Sequence, residues 1–204
     1  MELTKSYRLR DIEGEKMKKF ELTAEYVTNI FGKKLFRIKA LVEFGNVKEG
    51  DLGGFVEKES NIDDDGNAWV SGNAQVFGNA KISGNAQVYG NAQVFGNAWV
   101  FGCAWISGDA QVYGNACVAG NLDYAIVGGF GSEQQTITFF RQKDGSVGIK
   151  CGCFFGNLEE FRAKVKETHK DSKYAQEYLM IADLMELHFA GGCDGNDKDN
   201  HSCL

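Results

Sequence analysis

Side chains suited to chemistry are few in this chain, and they are scattered. His169, His188 and His201 are the only histidines among 204 residues, so imidazole general-base or zinc chemistry is confined to the C-terminal part of the chain. Cys151-Gly-Cys153 would set two thiols on one face of a strand. A zinc site there would need two more ligands, for which Cys193, Cys203 and His201 are the candidates. The redox Cys-x-x-Cys spacing is absent, and a half-buried pair of structural cysteines is the preferred reading. Asp63-Asp64-Asp65 lacks the ligand alternation and downstream Glu of a calcium loop, and reads as a solvated lead-in to a repetitive segment. Gly50-Asp51-Leu52-Gly53-Gly54 lacks the Gly-Lys-Ser/Thr ending of a phosphate loop and precedes no helix pattern, so it reads as a tight turn. His169 sits at an interhelical break and reads as a charge at a helix C-terminus. No Ser/His/Asp or paired-carboxylate constellation stands out. The expectation is a chain with no catalytic residue, no metal and no cofactor.

The element that must position everything else is a six-residue repeat over residues 64–123. Its centre reads Val70-Ser-Gly-Asn-Ala-Gln, Val76-Phe-Gly-Asn-Ala-Lys, Ile82-Ser-Gly-Asn-Ala-Gln, Val88-Tyr-Gly-Asn-Ala-Gln and Val94-Phe-Gly-Asn-Ala-Trp. A fixed short period of this kind signals a solenoid. Val and Ile fit a pleated strand, while Gly and Asn tolerate left-handed backbone angles, so each hexad is a short strand plus a corner. Side chains alternate around each aliphatic position, with Gln75 out, Val76 in and Phe77 out. Three such sides would close a rung of about eighteen residues, with rungs stacked about 4.8 Å apart.

With aliphatic first, Asn fourth and a small residue fifth, the hexads resemble those of left-handed parallel β-helix, hexapeptide-repeat proteins. Departures fall at Cys103 and Asp109 in the Asn position and at Leu122 in the Ala position. The left hand is implied by the resemblance alone. So is the chemistry of such enzymes, whose acyltransferases and carbonic-anhydrase relatives use histidines projecting from the coil. Here all three histidines lie beyond the coil, so neither chemistry carries over by residue.

At eighteen-residue spacing one outer face stacks Gln75, Gln93 and Gln111 beside Phe77, Phe95 and Tyr113. A second carries Trp69, Gln87 and Trp105 beside Ser71, Tyr89 and Ser107; the third carries Lys81, Trp99 and Cys117 beside Ser83, Phe101 and Ala119. The inward Val and Ile residues make too thin a core to offset the ordering of the whole coil. The outward aromatics therefore need covering. Either the chain's own terminal segments do this, or the Gln/Phe face packs on two further copies. The second reading makes Gln75, Phe77, Gln93, Phe95, Gln111 and Tyr113 the interface of a homotrimer, the arrangement common in the resembled family.

The flanks read as modules. Residues 1–60 comprise a charged extension, to about position 16, and a β cap with alternating apolar residues on either side of Phe31-Gly-Lys-Lys. The coil occupies 61–124. Residues 125–190 read as a β-hairpin turned at Lys143-Asp144-Gly145, followed by two helices, the first opened by Asn157 and Glu160 as a capping box. Residues 191–204 read as a polar disordered tail. The fold class is thus mainly β: a three-sided left-handed parallel β-helix with an N-terminal β cap and a C-terminal ββαα module.

The net charge of −6 and the presence of Lys81 as the one basic residue between positions 61 and 124 make nucleic acid an unfavoured ligand. No apolar run or leader pattern indicates a membrane or export, so the cytoplasm is expected. The six cysteines show no disulfide framework. The segments Leu35-Phe-Arg-Ile-Lys-Ala-Leu and Asp51-Leu-Gly-Gly-Phe-Val-Glu, with the Gly-Asn-Ala array after them, are similar to bacterial and prophage proteins labelled polymer-forming or hexapeptide-transferase-like. What that resemblance implies is a phage or prophage accessory. The resulting expectation is a non-catalytic binding or scaffold protein that binds and inhibits a host protein; the competing expectation is an acyltransferase-like enzyme.

Overall fold

The computed structural model describes residues 18–190. The proposed extension, the proposed tail and the candidate ligands Cys193, His201 and Cys203 lie outside the described residues. The chain opens with the antiparallel strands β1 (Phe20–Thr28) and β2 (Lys34–Ala40), and β3 (Leu52–Val56) pairs antiparallel with β2. A register shift between Leu22 and Tyr26, where Thr23 Oγ1 accepts from Glu25 N, interrupts the free edge of β1. Such a bulge blunts an edge strand against unwanted pairing.

The coil comes next as β4 (Trp69–Val70), β5 (Gln75–Val76), β6 (Lys81–Ile82), β7 (Gln87–Val88), β8 (Gln93–Val94), β9 (Trp99–Val100), β10 (Trp105–Ile106), β11 (Gln111–Val112) and β12 (Cys117–Val118). These strands form three parallel ladders, β5-β8-β11, β4-β7-β10 and β6-β9-β12, with partners eighteen residues apart, as in Val76↔Val94↔Val112. The first ladder begins one strand earlier, because β3 pairs parallel with β5. The N-terminal cap and the coil therefore share one six-stranded sheet. Every first-position residue from Val70 to Val118 is fully buried, as are the fifth-position alanines from Ala68 to Ala116 to within 1%.

The corners explain the Gly-Asn pair. Gly84, for example, has φ +66, and a Cβ there would lie 3.1 Å from the backbone N of Gly102 in the next rung, so both backbone angle and spacing require glycine. The asparagines stack up the corners: Asn67 Nδ2 donates to Asn85 Oδ1 at 3.1 Å, Asn73 to Asn91 at 3.3 Å and Asn79 to Asn97 at 3.2 Å. Asp109 ends one such row by accepting from Asn91 at 3.0 Å. An acceptor-only side chain suits the last place in a row that passes donors one way. Cys103 breaks another row; it is disulfide-bonded, which the spacing did not indicate, whereas Cys117, Cys151 and Cys153 are free.

Gly53 and Gly54 correct the tight-turn reading. The turn closes earlier, where Asp51 N donates to Lys48 O and Gly50 has φ +88. Gly53 and Gly54 are buried strand residues of β3, where added Cβ atoms would lie 2.6 Å from Val70 O and 2.7 Å from Ala74 O, respectively. Absence of side chains lets the cap sit directly on the first rung.

At the other end the C-terminal module is larger than a hairpin. β13 (Tyr124–Val127), β14 (Ile137–Arg141), β15 (Val147–Cys151) and β16 (Phe154–Gly156) form an antiparallel sheet, followed by α1 (Leu158–His169) and α2 (Lys173–Phe189). The two outer strands are short, and neither shows a long enough alternation to be read. β14 is buried throughout and works on two faces. Phe140 joins the coil core, whereas Ile137 and Phe139 pack with Phe161, Val165, Tyr178, Ile181 and Met185 of the helices. Asn157 and Glu160 form the expected reciprocal cap, both bonds at 2.9 Å.

Beside a single antiparallel bridge between Ala116 and Gln142, the last rung is closed by side chains. Thr138 Oγ1 accepts from Gln111 N at 3.1 Å, Asn121 Oδ1 from Trp105 N at 2.9 Å and Asp123 Oδ2 from Ala119 N at 3.0 Å. Otherwise unpaired strand donors are thereby satisfied at the point where the coil stops.

Candidate binding face

The Gln/Phe face is the most regular surface of the molecule. Phe77 and Phe95 stack at 4.8 Å between ring centroids, and Phe95 and Tyr113 at 4.7 Å, both with planes 4° apart. The parallel ladder imposes this spacing, since equivalent residues of successive rungs lie one strand spacing apart. Gln75, Gln93 and Gln111 form the adjoining row and are each half-buried.

The chain itself covers both ends of the aromatic row. Leu35, Phe55 and Phe77 form a separate apolar cluster with Val27 and Phe95 packed against it, and Phe77 is only 4% exposed. Phe31, at the β1–β2 turn, reaches over the row to within 5.9 Å of Phe77 and 6.1 Å of Phe95. At the far end Phe155 lies 4.5 Å from Tyr113. Of the six residues expected at an interface, Gln93 and Phe95 form the middle rung, where Phe31 reaches Phe95 from one side, and Gln111 shares the far rung with Tyr113.

Burial in the stack pushes the Tyr113 phenol up to about 12. Its folded value exceeds the unfolded value, so this contribution to stability is present below pH 10 and is lost as pH rises toward 12. Discounted for partial exposure, the loss is expected to be about 1 kcal/mol. Alkaline unfolding of wild type and Tyr113→Phe, monitored by circular dichroism, checks this: the variant should keep stability over that interval that the wild type loses.

The other two faces are covered unevenly. Trp69, expected outward, is 4% exposed because Phe20 and Phe44 pack edge-on against it at 6.4 and 5.4 Å. Tyr89, Trp99 and Trp105 remain 39%, 43% and 48% exposed. Trp99 Nε1 donates to Ser83 Oγ at 3.1 Å, and its ring lies 4.5 Å from Phe101. An open groove of about 480 Å³ beside it is bordered by Glu59, Asp63, Asp64 and Lys81.

Among the described residues the remaining candidates do not come together. Cys151 ends β15 and Cys153 lies in the turn to β16, since Gly152 adopts φ +55; the two thiols are therefore divided between a half-buried and an exposed setting. Burial pushes the Cys151 thiol up, away from reactivity. His169 is the last residue of α1, 5.3 Å from the Tyr178 ring, and His188 packs edge-on against Phe189. Asp64 Oδ1 accepts from Lys19 N, while Asp63 and Asp65 are exposed. Among the described residues no helix is long and apolar enough to cross a membrane.

Comparison with known proteins adds one finding to this geometry. A family model described as the YdcK beta solenoid repeat matches residues 74–90 and 86–102. Both segments lie within the coil, spanning β5 to β9. No curated protein matches the chain.

Proposed function

We propose that this protein is a non-catalytic binding scaffold built on a β-solenoid, with the middle of the Gln/Phe face as its contact strip. The observation that carries the reading is the incomplete covering of that face: Phe77 is buried, whereas Gln75, Gln93, Phe95, Gln111 and Tyr113 stay partly exposed beside Phe31 and Phe155. A flat row of stacked rings beside amides suits a protein surface: the rings supply apolar area with little rotamer entropy to lose, and the amides supply hydrogen bonds. The sequence places no histidine on the coil to serve as a base.

The finer readings belong to the same proposal. The coil is of the three-sided, left-handed, hexapeptide-repeat type; the strip joins three copies; and the assembly serves as a phage or prophage accessory that binds a host protein in the cytoplasm. These rest on the hexad pattern and on the likeness of the N-terminal segment to prophage proteins.

Light scattering of wild type and Phe95→Lys tests the strip. A trimer that falls to a monomer in the variant is the expected result; a monomer in both, equally soluble, removes self-association. Calorimetric titration with acetyl-CoA tests the class, because saturable binding would move the protein to the acyltransferases.

A further inference from the structure

One corner of the coil carries a bonded sulfur where its row otherwise carries asparagine. Cys103 is disulfide-bonded, whereas Cys117, Cys151 and Cys153 are free thiols. The sequence contains six cysteines, so within one chain the partner is Cys193 or Cys203. Both follow α2, which makes the position of that helix's end decisive.

α2 ends against the same corner, one rung on. Phe189 O accepts from Arg141 Nη2 at 3.3 Å, and the same guanidinium donates through Nε to Asp123 Oδ1 at 2.9 Å. Asp123 Oδ2 accepts from Ala119 N and Gly120 N, in the corner that leads out of β12. That corner follows Cys103 in its row: Asn121 stands eighteen residues after Cys103, as Cys103 does after Asn85, and its Oδ1 accepts from Trp105 N. Successive rungs are about 4.8 Å apart. Cys193 follows Phe189 by four residues, a reach of about 13 Å when extended. Cys203 also reaches, but closing the longer loop costs more chain entropy.

We infer that Cys103 and Cys193 form one disulfide, a clasp that joins the segment following α2 to the coil. Its place is the corner between β9 and β10, away from the ladder that carries the Gln/Phe face, so it stands apart from the contact strip. It is also a redox-sensitive closure, for which a low-molecular-weight disulfide is the oxidant. One cysteine thiolate attacks a reagent sulfur and expels one reagent thiolate; the other cysteine thiolate then attacks the protein sulfur of the mixed disulfide and expels the second. One protein S–S bond forms and one reagent S–S bond breaks. Two electrons and the two cysteine protons pass to the reagent, which leaves as two thiols. A reducing compartment opens the clasp by the same exchange in reverse.

The test uses the full chain, equilibrated with oxidised glutathione, alkylated without reductant and digested with trypsin and chymotrypsin for mass spectrometry. Cleavage after Trp105 separates Cys103 from Cys117, and cleavage after Lys198 separates Cys193 from Cys203. The expected product is a peptide pair joining Cys103 to Cys193, from a chain that runs as a monomer on a denaturing gel without reductant. Alkylated or glutathionylated Cys103, a link from Cys103 to Cys203 or Cys117, or a reduction-sensitive dimer would each overturn the proposal. Thermal melts read the consequence for the fold. Oxidised wild type should melt roughly 5–10 °C above oxidised Cys193→Ser, because the disulfide closes a long loop, and the two should melt together in dithiothreitol. Equal midpoints before reduction would overturn the clasp as a constraint on the folded chain.

Discussion

Asp123→Ala is expected to lower the free energy of unfolding by about 3–5 kcal/mol, the loss typical of removing one member of a buried ion pair. Asp123 Oδ1 accepts from Arg141 Nε at 2.9 Å, with the two side chains 10% and 9% exposed. The same carboxylate takes Ala119 N and Gly120 N through Oδ2. Arg141 in turn donates to Gly145 O and to Phe189 O. The pair thus ties the end of the coil to β14, to the β14–β15 turn and to the end of α2. Loss of Asp123 takes the carboxylate from a guanidinium that stays buried, together with the acceptor of two backbone donors. Urea denaturation checks the figure. A loss of less than about 1 kcal/mol would show that solvent reaches the pair, because exposed pairs contribute no more than that. Replacing both partners, as Asp123→Leu with Arg141→Met, should recover part of the loss, since neither charge of the pair then stays buried without the other.

Phe77→Ala should cost about 3–4 kcal/mol, in the range for emptying a buried aromatic site. Its ring is held by Leu35, Phe55, Phe95 and Phe31, so the void opens where the cap meets the coil. The neighbours sit on paired strands and have little freedom to collapse inward. The consequence should be local as well as global, with faster amide exchange over residues 26–36 than over the coil. Hydrogen exchange read residue by residue checks this. Uniform loss of protection along the chain would mean that cap and coil unfold as one unit and that Phe31 holds nothing down by itself.

The coil was legible because its signal repeats. Val76, Val94 and Val112 occupy one place in the period, and each reinforces the assignment of the others. The helices were legible from their caps and apolar faces, as at Asn157 and Glu160. β13 and β16 were not, because four- and three-residue strands show too little alternation to separate from loop. Cys151 and Cys153 misled because alternation assumes that the strand continues, whereas Gly152 turns the chain between them. Gly53 and Gly54 misled because glycine serves close approach as readily as turning. The outward row of Phe77, Phe95 and Tyr113 could be read to the residue, but not what covers it. Phe31 reaches Phe77 across a sequence separation that no local pattern encodes.

The eighteen-residue pairing quantises the length of this protein. Inserting a whole rung would leave every later residue on its own ladder, continue the asparagine rows and carry the C-terminal module straight along the axis. Inserting a single hexad would shift every later strand to the neighbouring ladder. β14 and the groups that close the last rung would then rotate onto a different side, and the middle strip would no longer lie between two covers. Growth and shrinkage by gene duplication are therefore permitted in steps of three hexads and resisted at one or two.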